Sequence, residues 1–171
     1  MPAAKNSTPK PASRKTGPDA IKLLTADHTE VKALFKEYES LVEADAGDDE
    51  KQTLALTICQ MLTVHAQIEE EIFYPAAREV LDEQDLVDEA DVEHASAKEL
   101  IAQIESSDPS DDHYDAKVKV LGEYIDHHVK EEQNELFKEA KKAGLDTAAV
   151  GEQLAARKEA LMAELGMVAE A

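Results

Sequence analysis

The stretch HAQIEEEIFYP, residues 65–75, places one histidine and three glutamates among apolar residues. Ile58 and Leu62 precede it at helical spacing, so His65 falls on the face that a helix would bury. Glu69 lies on the same face, because residues four apart on a helix are neighbours. A buried carboxylate needs a compensating charge, so this stretch predicts a polar site inside a helical core.

The stretch has a second copy in the chain. HAQIEEEIFYP (65–75) matches HVKEEQNELFK (128–138) at an offset of 63 residues, and DHTEVKALF (27–35) matches EHASAKELI (93–101) at an offset of 66. The two segments of the first pair share a histidine and a glutamate four residues later. Both also have large apolar residues four and five positions after that glutamate. We therefore expect two copies of one helical hairpin, related by a pseudo-twofold axis that brings matched residues to the same depth.

Apolar residues recur every three or four positions along four long segments, which predicts four main helices. The segments are separated by DAGDDE (45–50), by the region after Pro75 and by SSDPSDD (106–112), and Gly144 ends the fourth. Pro75 is expected to kink or end the second helix, and AAREVLD (76–82) to continue as a further short helical piece. Short loops between long helices predict an all-α protein, an up-down-up-down four-helix bundle.

The predicted bundle occupies residues 18–143, and an additional C-terminal helix is predicted at 146–165. That helix packs either beside the bundle or against another subunit, and the second arrangement would make a homo-oligomer. Residues 1–17 are rich in Pro, Ser, Thr and Lys and lack apolar periodicity, which predicts a disordered basic tail. The apolar face predicted for the C-terminal helix consists of Val150, Leu154, Leu161 and Leu165.

The charge of the chain limits its partners. The formal net charge is −20, and residues 1–18 carry +4, which leaves −24 for the rest. Such an acidic body should repel nucleic acid and anionic membranes, so neither is expected as a partner. No stretch is long and apolar enough to span a membrane, and no apolar segment of the secretory type follows the first positive charges. The predicted location is cytoplasmic.

Two candidate pairs overlap in the fourth helix, His127 with Glu131 and His128 with Glu132. In the first copy, the residues three, four and seven positions before His65 are apolar. Of the two histidines, only His128 has apolar residues at all three of these positions. We therefore expect His128 and Glu132 to point inward and His127 to be more exposed. His113 is expected at the surface, Cys59 as a small buried apolar residue, and Glu70 and Glu71 as solvated residues.

A single histidine on an apolar face usually makes one hydrogen bond in or near the core. Two His-x₃-Glu pairs and two further histidines, all inward and repeated, are different, because two uncompensated buried carboxylates would cost many kcal/mol. A cation is the simplest compensation, and six ligands from four helices suit two cations. The candidate metal ligands are His28, His65, Glu69, His94, His128 and Glu132.

The order of these residues resembles the hemerythrin-like HHE cation-binding domain family, over about residues 19–142. The resemblance implies a bundle of two HHE hairpin repeats around two iron ions, a non-haem di-iron centre bridged by the two carboxylates and by an oxo or hydroxo group. Two octahedral irons with these ligands would keep two positions open. The implied partners are small ligands such as O2, NO or peroxide.

The chain departs from the oxygen-carrying members of that family. They have five histidines at the centre, two of them four apart on the third helix, where this chain has Lys98 after His94. Their fourth-helix carboxylate is an aspartate five residues past its histidine, whereas Glu132 is four past. The additional open position favours redox chemistry with O2 or peroxide over O2 storage. Tyr124 and Glu131 are the candidates for an additional ligand.

Four functions stay open on the sequence alone. The main prediction is a di-iron protein that binds or senses O2, NO or iron. The second is a di-iron oxidoreductase acting on peroxide, O2 or ferrous iron. The third is a zinc protein, since imidazole and carboxylate ligands also suit zinc. The fourth is a structural bundle without metal.

Overall fold

The computed structural model describes residues 17–167, in which no strand occurs. Residues 1–16 of the predicted disordered tail lie outside that range. Two five-residue π-helical turns, Glu69–Phe73 and Glu132–Leu136, join α2 to α3 and α5 to α6 within continuous helical rods. The helices are α1 (Ala20–Glu43), α2 (Asp48–Ile68), α3 (Tyr74–Val80), α4 (Asp85–Glu105), α5 (Tyr114–Glu131), α6 (Phe137–Lys142) and α7 (Thr147–Glu164).

Helices α1, α2, α4 and α5 form the predicted up-down-up-down bundle, in which α1 packs on α2 and α5, and α4 packs on α5 and α2. Asp19 begins the bundle as the N-cap of α1, where its carboxylate accepts the backbone N–H of Lys22 at 3.0 Å. Asp45, with φ of 54°, reverses the chain between α1 and α2. None of the helices between residues 17 and 167 is long and apolar enough to cross a membrane.

Buried histidines divide the core into two apolar clusters. On α1, Leu24 belongs to one cluster and Val31 to the other, and His28 lies between them. On α4, Ala90 belongs to the first cluster and Ala97 to the second, and His94 lies between them. The polar layer therefore lies inside the bundle with apolar packing above and below it, which excludes most water from it.

Both π-helical turns begin at matched glutamates. The backbone N–H of Tyr74 donates to the carbonyl of Glu69, and that of Phe137 to the carbonyl of Glu132. Pro75 does not end the helical rod, which continues as the short piece α3 with Pro75 in its first turn, where proline is tolerated. The second copy has Lys138 at the position of Pro75 and the same π turn, so proline is not its cause. Single π turns are frequent at functional sites.

Helix α7 packs beside the bundle, against α1 and α2, which is the first of its two predicted arrangements. Val150, Leu154 and Leu161 are buried as predicted, but Leu165 is 45% exposed because it follows the last helical residue. Gly151 permits a close approach to the start of α1, since a Cβ there would lie 1.7 Å from the carbonyl oxygen of Pro18. A homo-oligomer through this helix stays a prediction.

Candidate metal centre

The structure brings the six candidate ligands together between α1, α2, α4 and α5. All six are buried, with exposures between 0% and 9%. They form two four-donor groups that share both carboxylates, and the donor atoms within each group lie within 4.8 Å of one another. We call these six residues the central cluster. His28 and His65 form its first half-site, and His94 and His128 form its second half-site. Glu69 and Glu132 are the carboxylates that the two half-sites share.

The Nε2 atoms of all four histidines point into the central cluster. In the first half-site the two Nε2 atoms are 3.1 Å apart, and in the second they are 3.2 Å apart. His65 Nε2 lies 3.0 Å from Glu69 Oε1, and His128 Nε2 lies 2.8 Å from Glu132 Oε2. This arrangement follows from the i, i+4 spacing on α2 and α5, which places each glutamate one turn below its histidine.

The Nδ1 atom of every one of these histidines has an acceptor outside the cluster. We call the four residues that accept these hydrogen bonds the outer acceptors. Because the acceptors require a proton on Nδ1, a neutral ring presents its Nε2 lone pair to the centre, as a metal-ligating histidine does. The pairs are His28 with Gln133 Oε1 at 2.8 Å, His65 with Asp27 at 3.0 Å, His94 with Glu70 at 2.9 Å and His128 with Glu93 at 2.6 Å.

Two buried carboxylate oxygens, Glu69 Oε1 and Glu132 Oε1, have no hydrogen-bond partner within residues 17–167. The first is close to His65 Nε2 without hydrogen-bond alignment, and the second is 3.7 Å from His28 Nε2. Orphaned buried oxygens of this kind are costly. Inward imidazole nitrogens and carboxylate oxygens are donors that iron and zinc both accept, so the residues present fit two cations.

In the chain without metal, protons compensate the buried carboxylates. Burial disfavours a charged ring at His65, but the negative charge of Glu69 and the hydrogen bond to Asp27 outweigh it and raise the pKa of His65 to about 10. His128 behaves alike: burial is outweighed by the hydrogen bond and charge of Glu132, and its pKa rises to about 9. Burial and the charge of Glu69 raise the pKa of Glu132 to about 7.

The stability of the metal-free chain should therefore fall between about pH 8 and pH 10. Histidines with a raised pKa stabilise the fold below their unfolded value of about 6.5, and that stabilisation is lost as the pH rises through 9 and 10. Over that range the carboxylates are already ionised. Thermal melts across this range should show a decrease of several degrees for the metal-free chain and a smaller one with metal bound. A flat profile for the metal-free chain would contradict the proton assignment.

Tyr74 reaches the central cluster, whereas the two residues predicted as additional ligands do not. Its buried hydroxyl lies 2.9 Å from Glu132 Oε2, 3.3 Å from Glu69 Oε2 and 3.1 Å from His94 Nε2. Tyr124 is 49% exposed. The side chain of Glu131 faces outward and pairs with the exposed His127. Neither candidate contacts the cluster: Glu131 lies about 100° around α5 from the inward Glu132, and Tyr124, one turn before His128, is turned toward solvent.

Replacing Tyr74 by Phe should destabilise the chain by about 1–3 kcal/mol, because the hydroxyl donates a hydrogen bond to a buried carboxylate. Tyr114 provides a matched control: its hydroxyl is equally buried but has no hydrogen-bond partner in the described part of the chain. Tyr114→Phe should therefore be neutral or stabilising. Urea denaturation of both metal-free variants measures the difference, and equal losses would show that the Tyr74 hydrogen bond adds nothing.

The predicted burial or exposure of three further residues was confirmed, and that of a fourth was not. Cys59 is buried, and the side chains of His113 and His127 are 82% and 67% exposed. Glu70 is half-buried rather than fully solvated: its side chain is 31% exposed, and it accepts from His94 and, at 2.6 Å, from Lys98. Sequence reasoning also missed Asp27, Glu93, Gln133 and Tyr74, although the repeat does show an acidic residue before the histidines of α1 and α4.

A cavity of about 470 Å³ reaches the four histidines of the central cluster. Its walls are mostly apolar and include Leu62, Ile101 and Ile125, and Lys98 and Lys158 also line it. A cavity of this size has room for a small molecule beside the inward histidines.

Comparisons with known proteins address the family and the fold of the chain. The model of the hemerythrin HHE cation binding domain family matches residues 19–140, from the N-cap of α1 into α6. A crystal structure of a hemerythrin HHE cation binding domain-containing protein from Mycobacterium kansasii superposes with a TM-score of 0.72 at 19% identity, covering 87% of this chain and 90% of that one. At that identity the likeness shows the fold alone.

A DNA nickase of Nostoc sp. is 32% identical to the chain over 116 residues. The match covers 67% of this chain and 31% of the relative, so the chain spans about a third of that protein's length.

Proposed function

The chain belongs to the hemerythrin HHE cation-binding domain family, and on that premise we propose that its central cluster holds two iron ions and binds or senses a small ligand, O2 or NO. His28 and His65 would hold one ion, and His94 and His128 the other. Glu69 and Glu132 would be shared by both. The observation that carries the proposal is the pair of orphaned oxygens, one on each buried glutamate, facing inward histidine nitrogens.

The surrounding residues support two cations rather than one. Each half-site offers the same donors: two imidazoles and both carboxylates. Against the effect of burial, the charges and hydrogen bonds of nearby carboxylates raise the pKa values of His65, His94 and His128, so protons compensate both half-sites in the metal-free chain. Metal ions entering the half-sites would displace those protons, since ligating histidines must be neutral.

Iron, when bound, would supply the open coordination positions and the electrons for reaction with O2, NO or peroxide. The residues of the chain orient and shield it. The outer acceptors hold the imidazoles in one tautomer, and Tyr74 donates to Glu132 and so fixes the orientation of a shared carboxylate. The apolar walls of the cavity keep water away from the centre while leaving a route for an uncharged ligand.

A second candidate function, oxidation of a substrate by peroxide or O2 at the same centre, is favoured by the Tyr74 hydroxyl. Burial and the charges of the two glutamates raise its pKa, so the hydroxyl stays protonated as a hydrogen-bond donor within 3.3 Å of both shared carboxylates and of His94, where it could hold a bound substrate. We do not extend DNA nicking to this chain, because it spans only part of the Nostoc protein and its net charge of −20 opposes binding to phosphates.

Metal analysis and optical spectra of protein made in iron-replete cells test the proposal. We expect two irons per chain and charge-transfer bands in the near ultraviolet. Addition of NO to the reduced protein should change the spectrum reversibly. Bound zinc without such bands would overturn the iron assignment, and sustained consumption of peroxide would favour the second candidate function.

A further inference from the structure

The outer acceptors obey the internal repeat at every position except one. Asp27 and Glu93 precede the matched histidines of α1 and α4, and both accept the Nδ1 proton of a histidine on the neighbouring helix. The other two outer acceptors follow the matched glutamates directly. In the first copy this residue is Glu70, and in the second it is Gln133. The pseudo-twofold axis therefore relates a carboxylate to a neutral amide.

This exchange changes the electrostatics of the histidine that each residue holds. Glu70 accepts from His94 in the second half-site, whereas Gln133 accepts from His28 in the first. Both acceptors fix the ring in the same tautomer. Only the carboxylate also stabilises positive charge on the ring and makes Nε2 a stronger donor to a cation, and the loss of such a partner typically costs about 10–100-fold in metal affinity.

Nearby lysines do not cancel the difference in charge between the outer acceptors of the two half-sites. In the first half-site Lys158 of α7 pairs with Asp27, which leaves the neutral Gln133 and no net outer charge. In the second, Lys98 pairs with Glu70, but its side chain is 51% exposed and its charge is better screened by water than that of Lys158, which is 27% exposed.

Glu93, the remaining outer acceptor of the second half-site, has no lysine or arginine within 4 Å among the described residues. Apart from His128, which it holds, the exposed His127 is the one basic side chain near it in the part of the chain that the structure describes, at 3.5 Å. The outer groups of the second half-site therefore carry at least one more negative charge than those of the first.

We propose that the two half-sites are inequivalent: the second, with Glu70 and Glu93 behind its histidines, binds a cation first and more tightly than the first, with Gln133 and Asp27. The inference rests on the proposed function, because it assumes that both half-sites take a cation. It assigns Gln133 and Glu70 as the residues that set the order of loading.

A titration of the metal-free chain with Zn²⁺, followed by NMR of the imidazole nitrogens, tests the order directly. At one equivalent we expect shifted signals for His94 and His128 and unshifted signals for His28 and His65. Equal partial shifts in both pairs, or shifts in the first pair alone, would overturn the inference while leaving two-metal binding intact. Failure to bind two equivalents would instead count against the proposed function.

A charge-conserving exchange provides the matched variant. In the double variant Glu70→Gln with Gln133→Glu the net charge is unchanged, so any effect must come from where the carboxylate lies. We expect the order of loading to reverse, with the ratio of the two dissociation constants changing by about tenfold or more. An unchanged order would overturn the assignment. If the double variant does not fold, Gln133→Glu alone should bring the two dissociation constants closer together. An unchanged ratio between them would also overturn the assignment.

Discussion

His128→Ala is expected to lose at least one of two irons per chain, whereas His127→Ala should keep both. His128 is 5% exposed, its Nε2 lies 2.8 Å from Glu132, and its Nδ1 is held by Glu93. Its loss removes one of two imidazoles of the second half-site and leaves Glu132 without its nearest positive partner. The neighbouring imidazole of His127 is mostly in water and touches only exposed or half-buried carboxylates.

Iron content per chain and the near-ultraviolet spectrum measure this contrast. The His127 variant should match the parent spectrum and lose less than about 0.5 kcal/mol in stability, as is usual for a surface substitution. Glu132→Ala against Glu131→Ala should show the same contrast. Iron lost from the His127 variant and kept by the His128 variant would mean that the second half-site is assigned one residue out of register.

Removing the metal should lower the melting temperature by about 10 °C or more. A ligand present at a thousand times its dissociation constant stabilises the folded chain by about 4 kcal/mol, and a chain of this size shifts by about 2–4 °C per kcal/mol. Without metal, the central cluster depends on protons on its histidines, and the orphaned oxygens of Glu69 and Glu132 stay unsatisfied.

The double variant Glu69→Gln with Glu132→Gln is the control for that measurement. It removes both buried charges, so it should bind little iron, and a chelator should leave its melting temperature unchanged. The expected result is a large difference between metal-loaded and metal-free parent protein and none for the double variant. Equal melting temperatures for the two forms of the parent would count against a metal site inside the core.

The sequence was sufficient to predict that the six side chains of the central cluster lie together. Each helix carries its histidine within an apolar stripe, and the repeat aligns His128 with His65, which the periodicity of α5 alone could not do because His127 is adjacent. Long helices with short loops leave few ways to pack, so the up-down-up-down bundle followed as well.

Tyr74 could not be found from α-helical periodicity. It lies five residues after Glu69, about 140° around a regular α-helix, so the sequence placed it away from the centre. The π turn at Glu69–Phe73 pairs residues five apart and brings Tyr74 onto the same face as Glu69. The sequence contains no separate signal for that turn, since the second copy forms one without the proline.

The outer acceptors were missed for a different reason. Asp27 and Glu93 lie about 100° around their helices from the adjacent histidines, so periodicity within one helix assigns them to the outer face. They become functional candidates only when the neighbouring helix is placed, because each contacts a histidine across the helix interface. Such contacts depend on the relative rotation of two helices, which a single helix's pattern does not define.

Diffraction from crystals of the iron-loaded protein, measured on both sides of the iron absorption edge, tests the two-metal centre most directly. The predicted result is two anomalous peaks, one within bonding distance of His28 and His65 Nε2 and the other of His94 and His128 Nε2. Both should also contact the carboxylates of Glu69 and Glu132. A folded bundle with no iron peak between these six side chains, or with its metal bound elsewhere, would contradict the proposal.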